Sequence, residues 1–413
     1  MDSEPQGTQS SRRKRAVVVG AGPVGCLAAI MLARRGWKVS LYEGRPGARS
    51  VLIFFGLLDE PFLLIADLRL PSSKAAAQQR SINLAISHRG IAAIQAIYPA
   101  AAQRFMDTVI PMHGRMIHHL DGRLDSQLYD RDGQCINSVD RALLNEDLLE
   151  EVSRTQDVEL FFRHKVQFVD FDQKKMTVQD LDHGLQRIVD FDLCIGADGS
   201  YSVVRRQMMK VVRMDYQQEY IKHEYIELKM PAGRDNEGRP AFLLDPNHLH
   251  IWPRHSYMLI ALPNKDQTFT CTLFAPSAEL DRLNSPEIFL NWFESNFPDA
   301  LLALGEKNLI HDYTHNPRSP LICTRANPYH FKDRGILLGD AAHSMVPFYG
   351  QGLNCGLEDV RVLKILLDKE EVPSTIPITP AEYVDERLAH ALSRYSGERH
   401  KDLIAITDLA MGN

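Results

Sequence analysis

The stretch AVVVGAGPVGCLAAIMLARRGWKVSLYE, Ala16–Glu43, decides how the first part of this chain folds. Ala16–Val19 is a short, wholly apolar run of the kind that forms a buried parallel strand, and it leads directly into Gly20, Gly22 and Gly25 in GxGxxG spacing. Each glycine has a separate use: a tight turn, close approach of a backbone to a diphosphate, and close packing of helix on strand. Pro23 suits the first turn of the helix that follows, and Gly36 stops it. Trp37–Glu43 then alternates as a second strand that ends in an acid. A carboxylate at that point accepts hydrogen bonds from ribose hydroxyls and repels a 2'-phosphate, so FAD or NAD fits better than NADP. A lone GxGxxG is weak, but with its strand, helix, second strand and terminal acid it specifies a dinucleotide-binding unit.

Two later segments repeat the theme of an acid and glycines at a strand end. The run Gly335–Leu338 is strand-like and delivers Asp340 to a turn, after which Gln351–Leu367 reads as a helix whose free N–H groups and positive dipole end face the ligand. Such an end suits the pyrimidine side of a reduced flavin, which gathers negative charge. Between these segments, residues 157–193 read as short strands with polar turns, leading to GADGSYSVVR, Gly196–Arg205. Asp198 there holds either a nucleotide or a structural arginine, and Asp-Gly is also a common turn pair. Arg141 opens an amphipathic helix, Ala142–Val152, with Asp140 as its cap. From Tyr220 to Phe274 the chain turns β-rich and reads as an antiparallel sheet covering the cofactor. His248, His250 and His255 within it lack carboxylate or cysteine neighbours at metal-ligand spacing, so they read as ordinary strand and loop histidines and no metal is expected.

Composition sets the outer bounds. At 413 residues the chain is long enough for two joined lobes, and its 44% hydrophobic and 24% charged residues are those of a water-exposed globular protein. A net charge of −6 gives no reason to expect a nucleic-acid partner. Six cysteines, none in a CxxC pair, argue against a zinc site or a disulfide framework and for a reducing compartment. The polar N-terminus ends in Arg12, Arg13, Lys14 and Arg15 with no apolar run behind them, and reads as a solvated lead-in to the first strand rather than a secretory signal. Val51–Leu70 is the most apolar window, but Asp59, Glu60, Pro61, Asp67 and Arg69 interrupt it.

The order GAGPVG, GADG, GDAAH resembles the three fingerprints of the FAD-dependent aromatic hydroxylases. RSINLAISHRG, PMHGRMIH, HEYIEL, LHIWPR, ALPN, FTCTLF and PFYGQGLNCGLED narrow the likeness to the branch that hydroxylates kynurenine, over nearly all of residues 16–413. The resemblance implies an α/β fold: a Rossmann-type FAD-binding domain with an interleaved antiparallel-sheet substrate domain. On it, residues 1–219 and 331–413 form the two parts of the FAD lobe and 220–330 a mainly β substrate domain. It places FAD against Gly20, Gly22, Val24, Gly25, Glu43, Arg45, Ala85, Arg141, Asp198, Asp340, Leu353 and Asn354. It places the amino-acid carboxylate of L-kynurenine against Arg115 and Tyr129, with Asn413 as a further substrate contact. A guanidinium fork and a phenol are suited to a carboxylate. No residue is assigned as a catalytic acid or base. The implied reaction makes 3-hydroxykynurenine with O2 and NADPH, the latter bound transiently because a second GxGxxG unit is missing, in tryptophan degradation and NAD biosynthesis. The family's place is the cytosolic face of the mitochondrial outer membrane, through a C-terminal region not evident in this chain.

Two features depart from the family pattern. Between Glu43 and Arg80 the connection is longer, and Ser50–Ser72, with its abrupt change of composition, is expected to derive from a retained intron or an alternative gene model. At the other end, ITDLAMGN resembles the start of a longer helical region. From these departures the chain is expected to bind FAD but to hydroxylate poorly. The alternatives are another FAD-dependent aromatic hydroxylase, told apart by its substrate, and a non-catalytic binding protein on the same scaffold, against which Asp340 speaks.

Overall fold

The protein is described by a computed structural model covering residues 11–46, 49–52, 65–68, 84–378 and 382–412. Its first layer is a six-stranded sheet in the order Val158–Phe162, Lys38–Glu43, Arg15–Val19, Leu193–Gly196, Gly335–Leu337 and His330–Phe331. All neighbours are parallel except the last pair. The three segments singled out in the sequence therefore emerge from three consecutive central strands, at their carboxyl ends, where open α/β sheets bind ligands. Val17, Val18, Leu41, Cys194, Ile195 and Ile336 are buried, and the helices Pro23–Arg34 and Gly352–Lys369 pack over them in one core.

The second layer is a seven-stranded sheet: Ser319–Asn327, Asp215–Met230, Phe269–Pro276, Tyr257–Pro263, His248–Arg254, Gly114–His118 and Leu124–Leu128. Two points differ from the sequence reading. The sheet is not wholly antiparallel, because His248–Arg254 pairs in parallel with Gly114–His118. It also takes two strands from before residue 219, while Asp215–Met230 runs across the 219–220 division, so the lobes interleave more deeply than the order of segments suggests. A parallel neighbour needs a long crossover, and here the crossover, residues 119–247, passes through the nucleotide lobe and supplies two strands of its sheet, Val158–Phe162 and Leu193–Gly196.

The strand His248–Arg254 shows what alternation does in this layer. Leu249 and Ile251 face a large cavity, whereas His250, Trp252 and Arg254 are buried on the opposite face against helices between residues 277 and 315. There His118 joins Asp299 at 2.7 Å and His250 at 2.8 Å, and Trp252 Nε1 donates to Asp299 at 2.8 Å. Burial pulls His250 down to about 4, so its ring is neutral. His250 is thus part of a buried polar chain, and His255 lies on the cavity wall.

The basic N-terminal cluster is not a solvated lead-in. Ser11–Arg13 pairs as a strand with Thr375–Pro377. Arg12 grips Asp192 through two bonds of 2.7 and 2.8 Å, Arg13 meets Asp157 at 2.8 Å, and Lys14, fully buried, meets Asp385 at 2.9 Å. Each acid comes from a distant part of the sequence, which is why a local reading assigned these charges to water. Within the Ser50–Ser72 segment, Arg49–Leu52 and Ile65–Leu68 pair as antiparallel strands, and the remainder lies outside the described residues. No helix among the described residues is long and apolar enough to cross a membrane.

Candidate flavin and substrate cavity

Between the two sheets lies a cavity of about 1240 Å³. That exceeds the roughly 300–1,000 Å³ of an ordinary small-molecule site. Of the residues expected at the site, Gly20, Gly22, Val24, Glu43, Arg45, Ala85, Arg115, Tyr129, Arg141, Asp198, Asp340 and Leu353 all line it. Gly25 and Asn354 stand behind the wall, and Asn413 lies outside the described residues.

The first turn separates its glycines by function. Gly20 has φ +100°, and a Cβ there would meet the Ala197 carbonyl oxygen at 2.4 Å, so only glycine lets the first and second loops touch. A Cβ on Gly25 would meet the Gly20 carbonyl oxygen at 1.9 Å, which fixes helix against strand. A Cβ on Gly22 would meet nothing within 4 Å: this is the open place beside the start of the helix Pro23–Arg34, whose end has no side-chain cap. Unsatisfied N–H groups at a helix start, beside open space, are the donor set a diphosphate needs. Glu43 closes this end of the cavity. It accepts from Ala21 N at 3.0 Å, from Arg45 N at 2.9 Å and from Arg45 Nε at 3.0 Å. Burial pushes its carboxyl up, but the bonds from Arg45 and Ala21 outweigh that and hold it below the usual carboxylate range. It is therefore ionised and held in place before any ribose arrives.

The second loop behaves differently. Asp198 accepts from Ser202 Oγ at 2.5 Å and from Val203 N at 2.6 Å, so it caps the first N–H groups of the short helix Val203–Met208 together with Ser202, whose own hydroxyl accepts from Arg205 N. Arg205 is a structural arginine, but not the partner of Asp198: it donates to Ala341 O at 2.7 Å, Ser200 O at 2.5 Å and the Tyr216 hydroxyl at 3.0 Å. Through Arg205 the second loop grips the third.

In the third loop Asp340 starts the short helix Asp340–His343 and is exposed on the cavity. The turn is held from behind by Asp359, fully buried, which accepts from Gly339 N at 2.9 Å, His343 Nε2 at 2.5 Å, and Arg399 at 2.9 and 3.0 Å. Burial pushes Asp359 up, yet His343 and Arg399 keep it below the ordinary range. The helix Gly352–Lys369 begins at the cavity with no side-chain cap. Asn354, fully buried, donates to Ala85 O at 2.8 Å and Gly350 O at 2.9 Å and accepts from Ser87 N at 2.9 Å. Its amide ties the helix start to the strand Leu84–Ile86 rather than pointing into the cavity.

The far compartment carries Arg115 and Tyr129, from neighbouring strand residues Gly114–His118 and the turn after Leu124–Leu128. The Arg115 guanidinium lies 5.4 Å from the Tyr129 ring centroid. Burial raises the Tyr129 phenol, with Arg115 pulling the other way, and the buried hydroxyl has no hydrogen-bond partner among the described residues. An unsatisfied buried hydroxyl is costly unless a ligand completes it. The same cavity has an apolar wall that the sequence reading did not name: Leu249, Ile251, Ile260, Phe274, Phe348 and Met345. Phe274 and Phe348 meet edge to face at 5.5 Å. The alternation in HLHIWPR was the available signal for part of this wall.

The geometry defines a FAD-binding protein of the aromatic hydroxylase fold. Residues 72–392 match the family of FAD binding domains, and PqsL, a probable FAD-dependent monooxygenase from Pseudomonas aeruginosa, superposes with TM-score 0.69 at 18% identity over 97% of this chain and 95% of its own. The 2-methyl-3-hydroxypyridine-5-carboxylic acid oxygenase gives TM-score 0.66 at 20% identity, over 96% and 88%. More particularly, the chain belongs to the kynurenine 3-monooxygenase family. It is 43% identical to the kynurenine 3-monooxygenase of Cryptococcus neoformans, over 98% of this chain and 78% of that protein, and 43% identical to that of Yarrowia lipolytica, over 96% and 79%.

Proposed function

We propose that this flavin monooxygenase converts L-kynurenine to 3-hydroxykynurenine, with NADPH as transient reductant and O2 as oxygen source. Glu43 takes the adenosine ribose of FAD, Gly20, Gly22, Val24 and Gly25 form the turn at its diphosphate, and Arg45 and Arg141 add positive charge along it. Asp340 accepts from the ribityl hydroxyls, and Leu353, at the uncapped helix start, lies against the ring, with Ala85 beside it and Asn354 holding both. Bound flavin supplies hydride acceptance and oxygen activation. The protein's own part is to orient the aromatic ring and exclude water; the ring amino group already enriches the carbon to be hydroxylated, so no acid or base is assigned.

The observation that carries the reading is the Arg115–Tyr129 pair on an apolar-walled cavity, with a buried phenol that has no hydrogen-bond partner among the described residues. A planar guanidinium and a phenol are donors for the substrate's carboxylate, and the Phe274–Phe348 side receives its ring. The purified chain should be yellow with a flavin spectrum, and kynurenine should stimulate NADPH oxidation with formation of 3-hydroxykynurenine. Arg115→Ala should raise the KM for kynurenine by about tenfold or more and leave bound flavin unchanged. Stimulation by simple phenolic acids and not by kynurenine would overturn the substrate. The family's mitochondrial outer-membrane location is part of the same proposal, and recovery of the tagged protein in another organelle fraction would exclude it.

A further inference from the structure

A second, smaller groove of about 420 Å³ opens beside the first, between the strand His164–Asp170 and the short helix Val203–Met208. Lys165, Val166 and Val203 belong to the walls of both. The groove is lined by three cations, Lys165, Arg206 and Lys210, and by no carboxylate. None of the three has an ion-pair partner among the described residues, so their charges are left to one another and to whatever enters the groove. The Lys210 ammonium is held 5.5 Å from the Phe168 ring centroid, which sets its direction without neutralising it. Gln207 adds a buried side-chain oxygen with no hydrogen-bond partner among the described residues. Three unpaired cations with one unsatisfied amide suit a phosphate bearing an adjacent hydroxyl.

The position of the groove says which phosphate. It lies at the Glu43 end of the cavity: a Cβ built on Gly44 would stand 3.8 Å from Lys165 Cβ, and Glu43, Gly44, Arg45, His164 and Lys165 share that wall. Glu43 itself is occupied with ribose recognition and repels a 2'-phosphate, so a 2'-phosphorylated ribose must be held away from it. FAD and a nicotinamide dinucleotide have the same plan, adenosine at one end and redox ring at the other. Because Lys165, Val166 and Val203 line both spaces, a reductant anchored by its adenosine end at the groove would reach the larger cavity from there.

We propose that Lys165, Arg206 and Lys210, with Gln207, form the recognition site for the phosphorylated adenosine ribose of the reductant, the phosphate on the cations and the neighbouring hydroxyl on the Gln207 amide. This rests on the NADPH reading above and names the residues that distinguish NADPH from NADH.

The test uses the FAD-loaded protein and the triple exchange Lys165→Gln, Arg206→Gln, Lys210→Gln, whose side chains are all at the surface. Calorimetric titration with 2',5'-ADP, ADP and inorganic phosphate reads the site without turnover. Binding of 2',5'-ADP should be about tenfold or more tighter than that of ADP, and the triple exchange should erase the difference. In turnover, the exchange should raise the KM for NADPH by a similar factor and leave flavin content and the KM for kynurenine unchanged. Unchanged 2',5'-ADP binding and unchanged KM for NADPH in the variant would overturn the site, as would inorganic phosphate binding as tightly as 2',5'-ADP. If the aromatic substrate is another compound, the kynurenine reading falls while the titration with 2',5'-ADP still supports or overturns the groove.

Discussion

Asp198 and Asp340 stand just past the ends of two neighbouring parallel strands, Leu193–Gly196 and Gly335–Leu337, each in a short acid-and-glycine motif. Their fates are opposite. Asp198 turns back on its own loop and caps the helix that follows, while Asp340 is left open to the cavity. The difference comes from Asp359, twenty residues after Gly339. It takes the backbone N–H of Gly339 and the ring of His343, and so holds the third loop from behind. The second loop is tied to the third through Ser200 and Arg205, but its own turn is shaped from within, by Asp198. An acid becomes available to a ligand when another group takes over the shaping of its turn.

The largest expected effect breaks that division of labour. Asp359→Ala leaves His343 and the Gly339 N–H without their acceptor and Arg399 with Glu358 and Asp402 alone, and should cost about 3 kcal/mol in denaturant unfolding. Because the folded Asp359 carboxyl titrates below its ordinary 3.8, its electrostatic contribution is complete above pH 3.8 and is lost as pH falls through the folded value. The gap between wild type and Asp359→Asn should therefore be full at pH 7 and narrow in melts below pH 3.8. A gap independent of pH would show that Asp359 acts through packing alone.

Next in size, Asp340→Ala should weaken FAD by about tenfold or more, about 1.5–3 kcal/mol, with the flavin-free protein melting unchanged. A flavin titration with a parallel melt checks it, and a fall in apo stability instead would place Asp340 in the same structural class as Asp198. Asp198→Ala should do the reverse, costing about 1–2 kcal/mol of stability through the lost cap. The smallest effect sharpens the contrast. Burial raises the Asp198 carboxyl, so its charge carries a cost that sets in as pH rises above 3.8. Asparagine carries no charge and keeps one acceptor oxygen for the Val203 N–H while its amide nitrogen faces the Ser202 hydroxyl, so Asp198→Asn should cost less than Asp198→Ala at pH 7, within about 1 kcal/mol of wild type. A large loss in that melt would mean that the charge itself is needed.

The sequence was most legible where the chemistry is local. GAGPVG with its strand, helix and Glu43 is found as read, including the tight turn at Gly20 and the close helix–strand packing at Gly25. The cap of Asp140 on the helix Arg141–Arg154 is likewise found, accepting from Ala142 N at 2.7 Å. Legibility failed where the partner is far along the chain. Arg12, Arg13 and Lys14 looked solvated because Asp192, Asp157 and Asp385 are invisible to a local window. The parallel pairing of His248–Arg254 with Gly114–His118 was missed for the same reason.

By itself, then, the sequence determined the nucleotide lobe, the order of three ligand-facing loops and the flavin class, because apolar periodicity, glycine conformation and helix ends are set by residues a few positions apart. Only the tertiary structure decided which acid faces the ligand, that Asn354 braces the wall instead of lining it, and that Arg115 and Tyr129 share a compartment with Phe274 and Phe348. It also brought Lys165 to Arg206 and Lys210 across the groove. A side chain's role depends on which donors and acceptors remain after packing, and those come from strands and helices that meet only when the two sheets close over the cavity.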